Sequence, residues 1–282
     1  KFYLVDTIKV DLYGSLSLTG KGHATDLAIQ LGLSGADPEY IPIGDIAEII
    51  DAIDNNELLF LNNEKNIPFY KSSITFNREF LPFHANAIRF SGFFNGEEIS
   101  NETYYSIGGG FIVQENDHLK EEIEINNKNF PFPISKAIEL EEFCEKENLG
   151  ISEIVYLNEL ELHSSEFINN EIYRIWDTML ECMYIGCHTK GKLPGGLNVK
   201  RRAFDTHQKL IKGTCYDNPK EWITAIRSTE VKFREILKWV SCFALSVNEV
   251  NAALGRVVTA PTNGSAGVIP AVLMYYMVIE NH

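Results

Sequence analysis

The sequence has 282 residues, of which 45% are apolar and 23% charged, the composition of an ordinary globular protein and not of a disordered or fibrous chain. Its formal charge of −14 opposes binding to phosphate backbones and to anionic lipid, so neither nucleic acid nor a membrane surface is an expected partner. The longest nearly apolar stretch, 267–279, is shorter than the roughly 20 residues of a membrane span and predicts a buried core helix.

The cysteines give no sign of a disulfide framework or a metal site. They form an odd set, and no two are spaced as Cys-x-x-Cys, so reduced structural thiols are expected and no metal ligands. The five are Cys144, Cys182, Cys187, Cys215 and Cys242. The sequence opens at Lys1 without a basic and then apolar secretory signal, and we therefore expect a cytoplasmic protein.

The first half mixes strands and helices. Apolar and polar residues alternate over 7–16 as in a half-buried strand, with a turn at Gly14, and apolar spacing predicts helices over 26–33 and 45–53. Asn95-Gly96 between two apolar runs predicts a hairpin. Further short strands are predicted at 58–61, 67–70, 74–76, 87–94, 103–107 and 111–114. Residues 1–129 are therefore predicted to form an α+β domain.

The second half has helical spacing throughout. A polar stretch over 115–129, closed by Phe130-Pro131-Phe132-Pro133, marks the predicted domain boundary. Helices are predicted at 138–148, 151–185 with an interruption, 202–211, 222–251 and 264–279. Residues 134–282 are therefore predicted to form an all-helical domain.

Two segments of the first half bring a histidine to a turn. In Leu-Ser-Leu-Thr-Gly-Lys-Gly-His-Ala-Thr-Asp, residues 16–26, His23 lies at the apex of a strand-to-helix transition that could present side chains and amides to a ligand. The alternative is that the glycines only make the turn and that Thr25 or Asp26 caps the helix. In 81–86, an apolar stretch delivers His84 just before a strand, where the alternative is a structural histidine.

Two glycine-containing segments could bind an anion. Gly108-Gly109-Gly110 interrupts a strand pattern just after Ser106, which predicts either an ordinary bulge or amides that hold a ligand carboxylate. Small and polar residues crowd 247–264, which ends in Thr262-Asn263-Gly264. Unpaired N–H groups between two helices there could also bind an anion.

Five segments, in this order, resemble the iron–sulfur L-serine dehydratases and together span nearly the whole chain. They are Gly14-Ser15-Leu16…Thr19-Gly20-Lys21-Gly22-His23; Leu81-Pro82-Phe83-His84; Tyr104-Tyr105-Ser106-Ile107-Gly108-Gly109-Gly110-Phe111; Leu193-Pro194-Gly195-Gly196-Leu197 with Arg201-Arg202-Ala203; and Arg256-Val257-Val258-Thr259-Ala260-Pro261-Thr262-Asn263-Gly264. The resemblance implies an α+β domain followed by a helical catalytic domain, with the site between them. The α+β domain is also similar to a regulatory small-molecule-binding domain of some phosphoglycerate dehydrogenases.

The activity that the resemblance implies is conversion of L-serine to pyruvate and ammonia by a homodimer with a [4Fe–4S] cluster. Loss of the weakly acidic α-proton and departure of hydroxide both need help, which a neutral histidine and a Lewis-acidic iron can give. The resemblance implies His23 as the general base and His84 in substrate binding or proton transfer. The substrate-binding positions that it implies are Lys21, Gly22, Ser106, Gly108, Gly109, Gly110, Thr262, Asn263 and Gly264.

The sequence also departs from the family pattern. An upstream Ser-Ser-His-Thr loop and a downstream region with the cluster cysteines are absent from these 282 residues, so we expect the fragment alone to be inactive. Ala24, Ala87 and Leu254 stand where the resemblance implies glycine. Two other functions stay open. One is a pyridoxal-phosphate dehydratase, although no lysine lies in a recognisable cofactor loop, and the other is a regulatory module that binds a small amino acid without turnover.

Overall fold

The computed structural model describes residues 2–108, 110–115, 130–194, 197–258 and 263–280. By its internal contacts the chain divides into two compact units, Lys1–Leu119 and Lys120–His282. The predicted fold class is confirmed, because the described residues form a mixed sheet with helices first and a helical region second. The domain boundary at 130–133 stays a prediction, and the polar stretch 116–129 lies outside the described residues.

The first unit is built on a five-stranded sheet. Its strands and those of a separate hairpin are β1 (Thr7–Tyr13), β2 (Leu58–Leu61), β3 (Lys65–Pro68), β4 (Ile74–Phe76), β5 (Asn86–Phe94), β6 (Glu97–Gly108) and β7 (Phe111–Gln114). The strand order is β4-β1-β5-β6-β7, in which β4 runs parallel to β1 and the other neighbours are antiparallel. β2 and β3 form the hairpin by themselves.

The alternation of apolar and polar residues in β1 determines which of its side chains enter the core of this unit. Ile8, Val10 and Leu12 of β1 are buried on one face, while the residues between them are more exposed. Among the described residues of this unit, three helices accompany the sheet: α1 (Gly14–Gly20), α2 (Thr25–Leu33) and α3 (Ile43–Asn56). Ile29 of α2 and Ile53 of α3 join the same apolar cluster. Burial of such side chains, each contributing about 1.5–3 kcal/mol, holds these elements together.

The hairpin predicted at Asn95-Gly96 is confirmed. Asn95 has φ +51° and Gly96 has φ +84°, which is the left-handed pair that a two-residue hairpin turn requires. Near the triple glycine, Gly108 pairs with Phe111 and the register of β6 and β7 shifts between Ser106 and Gly108. This irregularity fits the bulge that was one of the two interpretations of the segment, and the anion-binding interpretation stays a prediction.

The second unit is a helical bundle centred on two long helices. The helices are α4 (Ala137–Glu147), α5 (Ile151–Glu159), α6 (Ser165–His188), α7 (Ala203–Ile211), α8 (Pro219–Ser228), α9 (Phe233–Asn251) and α10 (Val268–Tyr275), followed by a π-helical turn, Tyr276–Glu280. α9 packs against α6, α7 and α10. Gly186 permits the close crossing of α6 and α9, because a Cβ there would lie 2.3 Å from the Ser246 carbonyl oxygen.

Two local predictions were wrong. The single helix predicted over 222–251 is two helices, since the Ser228 and Thr229 hydroxyls donate to carbonyls of the preceding turn and Glu235 accepts from the Lys232 N–H. The strand predicted over 7–16 ends at Tyr13, because a short helix, α1, begins at the predicted turn at Gly14 and is followed by a 3₁₀ turn, Lys21–His23. Across the described residues, no helix combines the length and apolar character needed to span a membrane.

Candidate active site

Three of the segments singled out in the sequence meet at one end of the central strands of the first unit's sheet. Tyr13 pairs with Ala87, and Ala87 pairs with Tyr105. One residue further along, Gly14 forms a bridge with Asn86, whose Nδ2 donates to the Ser106 carbonyl oxygen at 3.3 Å. The start of α1, the loop before β5 and the end of β6 are therefore joined in one row.

Gly14 makes the closest of these approaches. It has φ +54°, and an added Cβ would lie 2.2 Å from the Ala85 carbonyl oxygen. The Gly14 N–H donates to the Glu79 carbonyl at 2.8 Å, and the Ser15 N–H donates to the Ala85 carbonyl at 2.8 Å. Only glycine fits both the conformation and the space, so this residue docks α1 directly onto the loop that carries His84.

The hydrogen bonds of His84 define its neutral tautomer. Its side chain is half-buried, and its Nδ1 accepts from the Asn86 backbone N–H at 3.1 Å. A nitrogen that accepts a hydrogen bond carries no proton, so the proton of the neutral ring is on Nε2. The neighbouring Phe83 packs edge-on against Tyr105 with ring centroids 4.8 Å apart, which helps to fix the loop. His84 is thus a hydrogen-bond donor at Nε2.

His23 has the opposite tautomer. Its Nδ1 lies 2.9 Å from the Thr19 carbonyl oxygen, and a carbonyl can only accept. Nδ1 therefore carries a proton, and in the neutral form of this exposed ring the lone pair is on Nε2. The following residue, Ala24, has φ +55°, the left-handed conformation in which glycine is favoured and where the resemblance implied glycine. His23 thus has a basic nitrogen at Nε2.

The remaining candidates of the first unit lie in the turn that carries His23 and at the end of β6. Lys21 is exposed, and its Nζ lies 5.1 Å from the centroid of the Phe76 ring, which is a cation–π contact. Gly22 is exposed, with no atom within 4 Å of where a Cβ would be. Gly108 and Gly110 have φ +104° and +86°. Gly109 lies outside the described residues.

In the second unit the structure connects two of the motif segments through a residue that sequence reasoning did not single out. Glu249, near the end of α9, accepts hydrogen bonds from the backbone N–H groups of Arg202 and Ala203. Asn263 and Gly264 lie in a short 3₁₀ turn before α10, and Thr262 lies outside the described residues. Glu249 lies among the small and polar residues of 247–264, and nothing in its local sequence distinguishes it from a solvent-exposed acid.

Sequence reasoning also missed a buried histidine. The side chain of His207 is fully buried, and its Nε2 accepts from Trp222 Nε1 at 2.9 Å. Burial, with a smaller contribution from His188, lowers the pKa of His207 from 6.5 to about 3. His188 Nε2 lies 2.7 Å from the Tyr216 hydroxyl, which is itself 3.3 Å from His207 Nε2. This network belongs to the core of the second unit.

The cysteines do not fit an iron–sulfur cluster. Cys187 and Cys242 are buried with their Sγ atoms 3.9 Å apart, and burial raises the pKa of the Cys187 thiol well above its usual value. Iron–sulfur clusters are held by thiolates, usually four of them. Over the described ranges, no group of three or more His, Cys, Asp or Glu side chains could hold a metal ion.

The described residues form a mixed sheet with His84 in the loop before β5 and His23 in the turn after α1, followed by a helical region. Residues 1–117 match the family model described as the serine dehydratase beta chain, and residues 146–281 match that of the serine dehydratase alpha chain. The chain belongs to the L-serine dehydratase family, as the resemblance indicated.

Curated relatives match almost the whole chain. It is 40% identical over 279 residues to an L-serine dehydratase of Haemophilus influenzae, which covers 98% of this chain and 58% of the relative. It is 39% identical over 274 residues to L-serine dehydratase 1 of Escherichia coli, covering 96% of this chain and 57% of that protein. An L-serine dehydratase of Streptomyces coelicolor is 36% identical over 276 residues, covering 97% and 57%. The chain thus spans a little over half the length of these relatives.

Proposed function

We propose that this chain supplies the substrate-binding unit and part of the catalytic unit of an L-serine dehydratase, which converts L-serine to pyruvate and ammonia. The observation that carries the proposal is the pair of opposite tautomers, a free lone pair on His23 Nε2 and a proton on His84 Nε2. A β-elimination needs one group that takes a proton and one that donates to a substrate oxygen. The family membership and the names of the relatives support the same reaction.

In this mechanism His23 Nε2 removes the α-proton of serine and the β-hydroxyl leaves as hydroxide, which the proton taken up by His23 then neutralises to water. His84 Nε2–H donates a hydrogen bond to a substrate oxygen and so orients the substrate toward the base. The aminoacrylate that forms then hydrolyses to pyruvate and ammonia. His84 is held by the Asn86 N–H, and Asn86 in turn holds the Ser106 carbonyl, so the donor is fixed by the sheet itself.

The amide-rich positions would complete substrate binding. We assign the carboxylate of serine to Ser106 and the amides of Gly108, Gly109 and Gly110, because successive main-chain N–H groups in a turn can bind an anion, and Gly108 and Gly110 have the positive φ of such a turn. We propose that Lys21 adds positive charge to the site, and Gly22 leaves open space next to His23. Thr262, Asn263 and Gly264 are the further substrate-binding positions that we propose in the second unit.

No step of this mechanism passes through a metal, because the cysteines of this chain do not fit the [4Fe–4S] cluster that the resemblance implies. We propose that the ligands of such a cluster are not among these 282 residues. The homodimer and the cytoplasmic location also stay predictions from the resemblance and the composition. A net charge of −14 supports the prediction that nucleic acid is not a partner.

The test is anaerobic turnover of L-serine by the intact protein, followed as pyruvate. His23→Ala should lower kcat by about 10²–10⁴-fold with a modest change in KM, since a general base acts in the transition state. His84→Ala should affect KM at least as strongly as kcat. His163→Ala, which changes an exposed histidine of the second unit that stacks on Phe167, is the matched control.

Iron content and visible absorbance of each variant must match the wild type. Otherwise a fall in turnover caused by loss of the cluster would be mistaken for loss of the general base. Near-normal turnover by His23→Ala with iron retained would contradict the assignment of the base. Tight binding of L-serine by the intact wild-type protein without any pyruvate would instead favour the regulatory module.

A further inference from the structure

Glu249 is a buried charged side chain with a specific set of partners. Only 3% of its surface is exposed, and its Oε1 accepts from the Arg202 N–H at 2.6 Å. The Ala203 N–H lies 3.3 Å from Oε1 and 3.4 Å from Oε2. The Glu249 main-chain carbonyl also accepts from Arg201 Nη1 at 3.3 Å. Glu249 therefore holds the segment Arg201-Arg202-Ala203 through both its side chain and its backbone.

These contacts supply a helix cap that α7 lacks in its own sequence. α7 begins at Ala203, and its N-cap residue, Arg202, makes no side-chain capping bond. The first N–H groups of a helix have no partner within the helix, and their partial positive charge favours a carboxylate. A buried carboxylate is costly unless it is hydrogen-bonded. The N–H groups of Arg202 and Ala203 therefore stabilise the Glu249 carboxylate, and the carboxylate in turn stabilises the start of α7.

The same residue lies two positions before the end of α9, and the chain beyond it turns back tightly. The Gly255 N–H donates to the Val250 carbonyl at 2.9 Å, and the Leu254 N–H donates to the Asn251 carbonyl at 3.2 Å. A Cβ on Gly255 would lie 2.4 Å from Val250 Cγ1, so the chain turns back too closely for a side chain at this position. The last turn of α9 therefore sets where the following residues, 256–258, begin.

We propose that Glu249 is a positioning residue for L-serine turnover, an inference that rests on the proposed function. It holds Arg201–Ala203 at the end of α9, from which the described residues 252–258 turn back. Arg201–Ala203 and Arg256–Val258 both belong to the five segments that carry the resemblance. Glu249 has no role as a base or as a substrate contact, because its carboxylate is occupied by main-chain N–H groups.

The kinetic test compares Glu249→Ala and Glu249→Gln with Asn218→Ala in the intact protein. Asn218 caps α8 through hydrogen bonds from the Lys220 and Glu221 N–H groups at 3.1 and 3.0 Å, so its loss removes a comparable cap elsewhere in the same unit. Glu249→Ala should lower kcat/KM for L-serine by about 10²-fold, mainly through KM, as expected when a binding segment is displaced. Glu249→Gln retains one acceptor oxygen and should recover most of that loss.

Asn218→Ala should lower the melting temperature to a similar extent but leave kcat and KM as in the wild type. If Glu249→Ala and Asn218→Ala lower melting temperature alike and both keep wild-type KM, then Glu249 is only a structural cap and the proposal is overturned.

A second readout does not depend on activity. Backbone amide exchange in Glu249→Ala should become faster at Ala203 and over 252–258, whereas in Asn218→Ala it should become faster only at the start of α8. If Glu249→Ala does not fold, Glu249→Gln is measured instead and should show the same change to a smaller extent. Unchanged exchange over 252–258 in the Glu249 variants would overturn the proposal even if L-serine is not the substrate.

Discussion

A buried neutral histidine makes the stability of the second unit depend on pH. His207 has a fully buried ring, and its pKa is lowered from 6.5 to about 3, first by burial and second by His188. Between these two values the unfolded chain binds a proton that the folded chain does not. Stability from this residue is therefore complete above pH 6.5 and is lost progressively as the pH falls from 6.5 toward about 3.

The magnitude follows from the two pKa values. Each pH unit inside this window costs about 1.4 kcal/mol, so lowering the pH from about 7 to about 5 removes about 2 kcal/mol of unfolding free energy through His207. We propose urea denaturation at both pH values for the wild type and for His207→Gln, whose side-chain oxygen can still accept from the Trp222 N–H. The variant is expected to be less stable at about pH 7 but to lose about 2 kcal/mol less on acidification.

The control for this measurement is His163→Gln, because water reaches the His163 ring and its replacement should leave the pH response as in the wild type. An equal loss of stability on acidification in the wild type and in His207→Gln would refute the reasoning.

Backbone conformation gives two further predictions, both measured by urea denaturation at neutral pH. Ala24→Gly and Leu254→Gly should each stabilise the protein by up to about 1 kcal/mol because these residues have φ +55° and +60°, whereas Ala87→Gly, in a buried strand position, should destabilise it. Gly14→Ala should cost at least about 2 kcal/mol because its Cβ would lie 2.2 Å from a carbonyl oxygen, whereas Gly22→Ala, with open space, should be neutral. An increase in unfolding free energy in Ala87→Gly, or an unchanged unfolding free energy in Gly14→Ala, would contradict these predictions.

Much of the fold could be read from the sequence because the signals were local. The alternation in β1 predicted which side chains are buried, and Asn95-Gly96 predicted a turn that only left-handed residues can form. The resemblance implied glycine at Ala24, Ala87 and Leu254. Two of these, Ala24 and Leu254, have positive φ, which gives that implication a physical basis, while Ala87 lies in β5.

What could not be predicted depends on contacts between distant parts of the chain. Nothing local in α9 distinguishes Glu249 from a solvent-exposed acid, because its partners at Arg202 and Ala203 are more than forty residues away. The break between α8 and α9 had a local signal, Ser228-Thr229, but the apolar spacing on both sides outweighed it. The tautomers of His23 and His84 depend on backbone atoms whose positions only the structure supplies.

The central claim is that hydrogen bonds to the backbone hold the His23 and His84 rings in opposite tautomers. It is tested most directly by nitrogen NMR of the intact protein labelled in histidine, which distinguishes a protonated from an unprotonated ring nitrogen. We expect His23 to carry its proton on Nδ1 and His84 to carry its proton on Nε2. L-Serine should shift the ring-nitrogen resonances of His23 and His84 but not those of His163. A proton on His23 Nε2, or a response to L-serine that leaves both rings unchanged, would contradict it.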